Sequence, residues 1–289
     1  MHLARQILFL CAGNTCRSPM AAALFAALCA ARGDFHAVSA GLAATPGQPA
    51  AAHMQIVAAE KGLNISAHES RQADVEALRA ADCVVCLSAD IVRAAARFAA
   101  PERLYLLGGG ISDPYGGDQD AYRACAAQME AALPSLLRAL QADCVIRAMT
   151  EADLPAVLAL EQVGFGQEAW SAALFRSAIA LPGARYYVAA RAGEILGFAG
   201  TQTAADATSL DTVAIHPAYQ RQGLAHALLA RAEADAVTQG GRALWLEVRE
   251  GNTAARRLYE VRGYKEVNRR RAYYAHPTED AILMTLEVR

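Results

Sequence analysis

The chain contains no apolar run approaching the roughly 18 residues that a membrane-spanning helix requires, so no membrane partner is expected. It has almost no net charge, −2 over 289 residues, which argues against a polyanion-binding protein, and direct nucleic-acid binding is not expected. Its opening Met1-His2-Leu3-Ala4-Arg5 lacks the basic segment and long apolar stretch of a signal peptide, so a cytoplasmic location is expected. Cysteine is missing after residue 144, and tryptophan is missing before residue 170. The seven cysteines, at 11, 16, 29, 83, 86, 125 and 144, are odd in number and crowded into one half. That fits reduced thiols better than a disulfide framework. The split between the two residue types is a first sign of two domains, which the length accommodates. At 54% hydrophobic there is enough apolar side chain for two cores.

The densest chemistry lies in ILFLCAGNTCRS, residues 7–18. Ile7 to Leu10 read as a buried strand. Cys11 follows, then a short loop, then Arg17 and Ser18, and after Pro19 an Ala/Leu run that reads as a helix to about Arg32, just before Gly33. A strand, a tight loop and a helix start in that order make an anion cradle. Loop N–H groups and the positive end of the helix dipole converge on one spot, and an arginine there can fork onto two oxygens. A cysteine at the lip of the cradle has its thiolate stabilised and serves as a nucleophile. The blander reading, two buried cysteines in a strand-to-helix turn, is weakened by Gly13, Asn14 and Ser18 in the loop.

The rest of the first half alternates strands and helices: a strand over 35–40, a helix opened by Pro49 and closed by Gly62, and a short helix near 74–80. A strand at 83–87, a helix ending before Pro101, a strand at 103–107 and a last helix through about Gln141 follow. Such alternation predicts a parallel sheet covered on both faces, with ligands at the carboxyl ends of strands. Cys83 and Cys86 could suggest a metal or redox pair, but three apart in a strand they point to opposite faces and read as packing thiols; no metal is expected. His53 and His68 have no partner spacing that stands out and read as surface or structural. Asp113-Pro114-Tyr115-Gly116 is the second chemical candidate. Asp before Pro usually starts a turn, yet a cysteine-phosphate intermediate needs an acid for its leaving group and a base for water.

Residues 1–142 resemble the low-molecular-weight protein-tyrosine phosphatase family along their whole length. The shared stretches are Cys11 to Ser18, Ser39-Ala40-Gly41, His68-Glu69-Ser70-Arg71-Gln72 and Asp113-Pro114-Tyr115-Gly116. The resemblance implies Cys11 as nucleophile, Arg17 as phosphate clamp, Ser18 as thiolate stabiliser, Asp113 as general acid and Asn14 as keeper of the loop's shape. It also implies that Cys16 can trap an oxidised Cys11 as a reversible disulfide. Thr15 stands where tyrosine phosphatases of the family usually carry Ile or Leu, and is what bacterial protein-arginine phosphatases look like. The acid loop has the single aromatic Tyr115 rather than two. A tyrosine ring prefers an apolar wall, whereas a guanidinium wants polar partners and a carboxylate, so phosphoarginine is the expected substrate group and phosphotyrosine the alternative.

Around Asp143 the pattern resets. Cys144 to Arg147 read as a new first strand and Thr150 to Leu154 as a capped helix start. Strands over 186–190 and 195–203 flank a turn, and another covers 209–215. His216-Pro217-Ala218-Tyr219-Gln220-Arg221-Gln222-Gly223-Leu224-Ala225 then runs into an Ala/Leu helix, a second anion site built from backbone N–H groups. Leu244 to Val248 form a strand, Asn252 caps the next helix, and Tyr259 lies on that helix.

Residues 144–289 resemble the GNAT acetyltransferase superfamily, and most closely its ribosomal-protein alanine N-acetyltransferase branch. The stretches are HPAYQRQGLAHALL (216–229), LWLEVREGNTAARRLYEVRGY (244–264) and RRAYYAHPTEDAILMTL (270–286). The resemblance implies a mixed α/β domain binding acetyl-CoA. Gln220, Arg221, Gln222, Gly223, Leu224 and Ala225 would hold the pyrophosphate, Val213 and Ile215 would line the pantetheine arm, and Asn252 would touch the cofactor. Glu247 would be the base for an N-terminal ammonium and Tyr259 the acid for the departing thiolate. Ala225 departs from a common Gly. Tyr273 and Tyr274 read either as walls of a peptide slot or as packing, and the basic run Arg269 to Arg271 as a solvated face.

Together these readings give an α/β chain with two enzymes, a phosphatase on a phosphorylated protein and an acetyltransferase on the N-terminus of a ribosomal protein. The alternatives are a tyrosine phosphatase joined to a lysine or small-amine acetyltransferase, and a phosphoprotein-binding regulatory module attached to an acetyltransferase.

Overall fold

The computed structural model describes residues 4–31 and 33–288, in two compact units, one ending at Pro134 and the other spanning Ser135–Val288. The first alternates β1 (Arg5–Cys11), α1 (Arg17–Cys29), β2 (Phe35–Gly41), α2 (Ala52–Glu60), α3 (Val75–Ala80), β3 (Cys83–Cys86), α4 (Ala89–Ala95), β4 (Leu104–Leu106) and the part of α5 (Gln119–Gln141) up to Pro134, the rest of that helix belonging to the second unit. Four parallel strands in the order β2-β1-β3-β4 make its sheet. The expected run Ile7–Leu10 is fully buried in β1. In register, Cys11 at the carboxyl end of β1 faces Gly41, so the rim of the sheet carries the nucleophile candidate. Cys83 and Cys86 are both buried.

Two helix starts differ from expectation. The first helix begins at Arg17, not Pro19. Proline fits its third position because the first N–H groups of a helix have no partner in any case. Its expected end, Arg32, lies outside the described residues; α1 closes at Cys29. Pro49 does not open α2. It is held extended by a bridge to Glu69, with Ser70 N donating to Gln48 O at 2.8 Å and Gln48 N to Ser70 Oγ at 2.9 Å, and the helix waits until Ala52.

The second unit holds β5 (Val145–Ala148), α6 (Leu154–Phe165), α7 (Ala172–Ile179), β6 (Ala184–Arg191), β7 (Glu194–Ala204), β8 (Ala207–Ile215), α8 (Leu224–Thr238), β9 (Ala243–Arg249), α9 (Thr253–Val261), β10 (Lys265–Ala275) and β11 (Thr278–Glu287). Its seven-stranded sheet runs β10-β11-β9-β8-β7-β6-β5. All pairs are antiparallel but β8–β9, which is parallel and joins only Ala207–Ser209 to Ala243–Trp245. Beyond that the two strands part, leaving the β9 side of β8 without a ladder partner. The expected capping box is present, with Thr150 and Asp153 satisfying each other's backbone N–H.

The basic run Arg269–Arg271 is not simply a solvated face. It lies on β10, the edge strand, where charge discourages further pairing, and two of its members reach inward to carboxylates. Arg269 pairs with Glu250 at 2.7 Å and Arg270 with Glu247 at 2.6 Å.

Candidate active sites

The first site begins where β1 stops. Residues 12–16 turn the chain, and Asn14 adopts a left-handed φ of 53°, tolerable for asparagine. Its side chain is wholly buried and fully used. Nδ2 donates to Ser18 Oγ at 2.8 Å and Ser39 Oγ at 3.0 Å, while Oδ1 accepts from Arg71 N at 2.8 Å. The Asn14 carbonyl accepts from His68 Nε2 at 2.7 Å, which fixes the proton on that nitrogen. Gly41 has no room for a side chain: a Cβ there would sit 2.4 Å from Ala12 O. The loop is therefore pressed onto β2 and braced by the 68–71 segment.

Cys11 Sγ lies 3.0 Å from Ser18 Oγ and accepts from Asn14 N at 3.3 Å. The Ser18 hydroxyl also points to Ala40 O at 3.3 Å, so it can turn its proton to a thiolate. Arg17, 8% exposed, donates Nη2 to Asp113 Oδ2 at 2.5 Å and Nη1 to Ile111 O at 3.4 Å. The fold thus brings Cys11, Asn14, Arg17, Ser18 and Asp113 into one connected set, drawn from two loops at the same rim. Thr15 is half-buried, with its carbonyl accepting from Ala51 N. Tyr115 stands out at 87% exposed, one turn from Asp113. Cys16 is buried beside Cys125, which with desolvation pushes its thiol well above the ordinary range. Burial pushes Cys83 up to about 12, and Cys86 likewise upward. Among the described residues no group of three or more His, Cys, Asp or Glu is placed to hold a metal ion.

The second site is built more from backbone. After β8 the chain passes through Arg221 with φ 65° and Gly223 with φ 85° before α8 begins at Leu224. Alternating left-handed residues ahead of a helix form a nest of N–H groups that suits phosphate. Gly223 is required twice over, since a Cβ would also meet Arg138 O at 2.1 Å. Ala225 lies in the first turn of α8. Gln220 and Gln222 side chains turn back to the Ile215 and Ala218 carbonyls, both at 3.4 Å. Val213 and Ile215 are half-buried on β8, where its β9 side is free. This loop and the parted strands fit an extended, diphosphate-bearing cofactor such as acetyl-CoA. Asn252 caps α9 by accepting from Ala255 N at 3.1 Å.

Glu247, in mid-β9, is covered from β10. Tyr273 donates its hydroxyl to Oε2 at 2.7 Å, and Arg270 Nη1 stands 2.6 Å from Oε1. Tyr259 packs against Tyr264 with ring centroids 5.6 Å apart, and burial plus the neighbouring Tyr274 hold its phenol above the ordinary range. Tyr274 is pushed up to about 12 by burial first, then by Tyr273 and Glu247. Tyr273 thus touches Glu247, and Tyr274 packs edge-on against Tyr273 with ring centroids 5.1 Å apart.

Two contributors were not singled out from the sequence. His68 braces the phosphate loop; its segment was among the shared stretches, but no spacing gave it a role. Arg249, two residues past Glu247, binds Glu168 at 2.6 Å and Glu279 at 3.0 Å and lies over the Tyr274 ring at 4.2 Å. It ties the turn before α7 to the β10–β11 hairpin through contacts far apart in sequence.

The family model described as low molecular weight phosphotyrosine protein phosphatase matches residues 6–146, and that described as acetyltransferase (GNAT) family matches residues 153–264. Over 149 residues the chain is 40% identical to the ribosomal protein bS18 alanine N-acetyltransferase of Escherichia coli, covering 50% of this chain and 97% of that protein. A structure of the YwlE arginine phosphatase from Geobacillus stearothermophilus is 34% identical, with a TM-score of 0.44, over 47% of this chain and 93% of that chain. The low molecular weight protein tyrosine phosphatase structure from T. tengcongensis is 30% identical, with a TM-score of 0.45, over 46% and 98%.

Proposed function

Because the chain belongs to the low molecular weight phosphotyrosine protein phosphatase family in its first half and to the GNAT acetyltransferase family in its second, it joins a phosphatase to an N-acetyltransferase, and we propose a substrate for each. The phosphatase removes phosphate from protein phosphoarginine. The acetyltransferase modifies the N-terminal α-amino group of a ribosomal protein that begins with Ala, a reading supported by the 40% identity to the ribosomal protein bS18 alanine N-acetyltransferase of Escherichia coli. Both act in the cytoplasm, on domains bounded at 1–142 and 144–289. No described helix is long and apolar enough to cross a membrane.

The observation that carries the phosphatase reading is the convergence on Cys11 Sγ of Ser18 Oγ at 3.0 Å and Asn14 N at 3.3 Å, with Arg17 and Asp113 joined beside it. The Cys11 thiolate attacks phosphorus and the P–N bond breaks. Asp113, as general acid, puts its proton on the departing guanidino nitrogen. A water activated by Asp113 then attacks the cysteinyl phosphate, releasing phosphate and restoring the thiolate. Arg17 leaves Asp113 to fork onto the phosphoryl oxygens. After peroxide, Cys16 protects Cys11 by forming a disulfide with its sulfenic acid, and a dithiol restores both.

Thr15 and the single aromatic Tyr115 support phosphoarginine, because they leave the rim polar around Asp113. Wild type and Thr15→Ile are assayed on both substrates. Wild type is expected to favour phosphoarginine, with the variant shifting toward phosphotyrosine by about tenfold, the scale of one pocket contact. Wild-type preference for phosphotyrosine overturns the assignment.

In the second half, Gln220 to Ala225 would hold the cofactor's pyrophosphate on backbone N–H groups, Val213 and Ile215 would flank its arm, and Asn252 would lie against it. Bound acetyl-CoA would supply an acetyl thioester. Glu247 takes the proton from the α-ammonium through a water, since a protonated amine cannot attack. Tyr259, which keeps its proton, hands it to the departing thiolate. Turnover on Ala-initiated peptides but not on lysine side chains or small amines is the expected result.

A further inference from the structure

Glu247 is occupied in an unusual way for a base. Its two oxygens are covered by one edge strand: Tyr273 supplies an aligned hydrogen bond to Oε2 at 2.7 Å, and Arg270 covers Oε1 at 2.6 Å. Yet Oε1 is buried and receives no aligned hydrogen bond; the guanidinium sits against it without aiming an N–H at it. A buried carboxylate oxygen in that state is an acceptor awaiting a better donor. Arg270 itself is half-exposed and rests over the Tyr273 ring at 5.5 Å, so its hold is screened by water. The pair Arg262–Glu233, by contrast, is buried on both sides, with side chains 2% exposed. It is locked in a way Arg270 is not. The other cation on the face of Glu247's strand, Arg249, is already committed to Glu168 and Glu279. Arg270 is thus the cation that can leave.

We propose that Arg270 is a displaceable placeholder for the acceptor's ammonium: it covers Glu247 Oε1 until a cationic N-terminus takes its place, so the site admits acceptors that bring their own positive charge. The inference rests on Glu247 being the base of the N-acetyltransferase. Three consequences follow from the geometry. With the ammonium in place, the water between it and Glu247 gives Oε1 an aligned hydrogen bond that the guanidinium does not make. Tyr273 keeps the carboxylate from turning away during the exchange. A product whose amine has become a neutral amide cannot compete with Arg270, which then returns and favours release. Arg270 is accordingly a positioning residue, acting through Glu247.

The test is calorimetric binding of an Ala-initiated peptide, with a free and with an acetylated N-terminus, to the full chain saturated with CoA. Arg270→Gln is expected to bind the free-amine peptide about three- to fivefold more tightly than wild type, the size of a half-exposed ion pair, and the acetylated peptide no differently. Arg270→Lys is expected to restore wild-type affinity. If Arg270→Gln shifts both peptides alike, or neither, the placeholder role is overturned. Glu247→Gln separates this from the underlying reading: it is expected to abolish the preference for the free amine. A wild-type enzyme that acetylates Ala peptides at a rate unaffected by Glu247→Gln would overturn the base assignment itself, whatever Arg270 does.

Discussion

In the phosphate loop, Cys11, Asn14, Arg17 and Ser18 fall within eight residues of sequence, and all four are buried. In the second site, Glu247 comes from a strand, Asn252 from a cap, Tyr259 from a helix, and Arg270 and Tyr273 from an edge strand that is exposed along nearly its whole length. The difference follows the chemistry. A covalent route through sulfur needs one nucleophile fixed against one small, compact anion, so a single loop can be clamped rigidly around it. Direct transfer between two long substrates needs a site open at two ends, so its groups arrive from separate elements and its base is held by contacts that can be exchanged.

The largest effect should come from crossing the two nucleophilic strategies. Cys11→Ser removes the only group that can form the cysteinyl phosphate and is expected to lower phosphatase kcat on the order of 10⁴-fold or more, with acetyl transfer unchanged. Glu247→Gln should leave phosphate release unchanged and cost acetyl transfer about 10²- to 10⁴-fold, the usual worth of a general base. Paired assays on each purified variant check both directions. Residual phosphatase activity in Cys11→Ser would mean that the first site works without covalent chemistry, and the contrast would dissolve.

A smaller effect tests whether the first loop is as rigid as its hydrogen bonds suggest. His68→Ala removes the donor to the Asn14 carbonyl and leaves a buried acceptor unmatched, a loss of roughly 1–3 kcal/mol. Phosphatase kcat/KM is expected to fall by about ten- to a hundredfold, with His68→Gln, which retains an N–H, recovering part of it. An unchanged rate would show that Ser18, Ser39 and Arg71 suffice to hold Asn14.

His68 also marks the limit of what the sequence alone makes legible. The strand before Cys11, the loop from Cys11 to Ser18 that opens a helix, and the Gly223 turn into a helix were all legible, because strand, loop and helix signals are local; the pairing of Arg17 with Asp113, across 96 positions, was not. The parallel four-stranded sheet was legible for the same reason, from alternation alone. His68 acts across 54 positions, Arg249 reaches Glu168 across 81, and Arg270 meets Glu247 through a strand two places away in the sheet. Such pairings depend on strand order, which no local spacing encodes. Pro49 failed for a related reason: proline favours a helix start, but a bridge to Glu69 holds it extended.

The smallest expected effect distinguishes the units by acid sensitivity. His226, in the first turn of α8, is 8% exposed, and its Nδ1 has no hydrogen-bond partner. Burial first, then the nearby Arg262 and Arg138, push it down to about 3, against about 6.5 in an unfolded chain. Between those values the unfolded state binds a proton that the folded state refuses, so stability is fully present above pH 6.5 and is lost as pH falls toward 3, by up to about 1.4 kcal/mol per pH unit. Asp153 acts in the same direction but lower: its Arg147 partner holds it below the usual carboxylate range, so its contribution fades only below about pH 4. From pH 4.5 to 6.5 the histidine is opposed by Glu161 and Asp211, whose carboxyls burial pushes up, so its own share is the difference between wild type and His226→Gln. Trp170 and Trp245, the chain's two tryptophans, both lie in the second unit, so their fluorescence reports the unfolding of that unit alone. Urea midpoints followed this way should fall more with acid across the window in wild type than in His226→Gln, while loss of phosphatase activity, which reports the first unit, keeps the same midpoint in both proteins. An equal slope in wild type and variant would place the acid sensitivity elsewhere in the second unit.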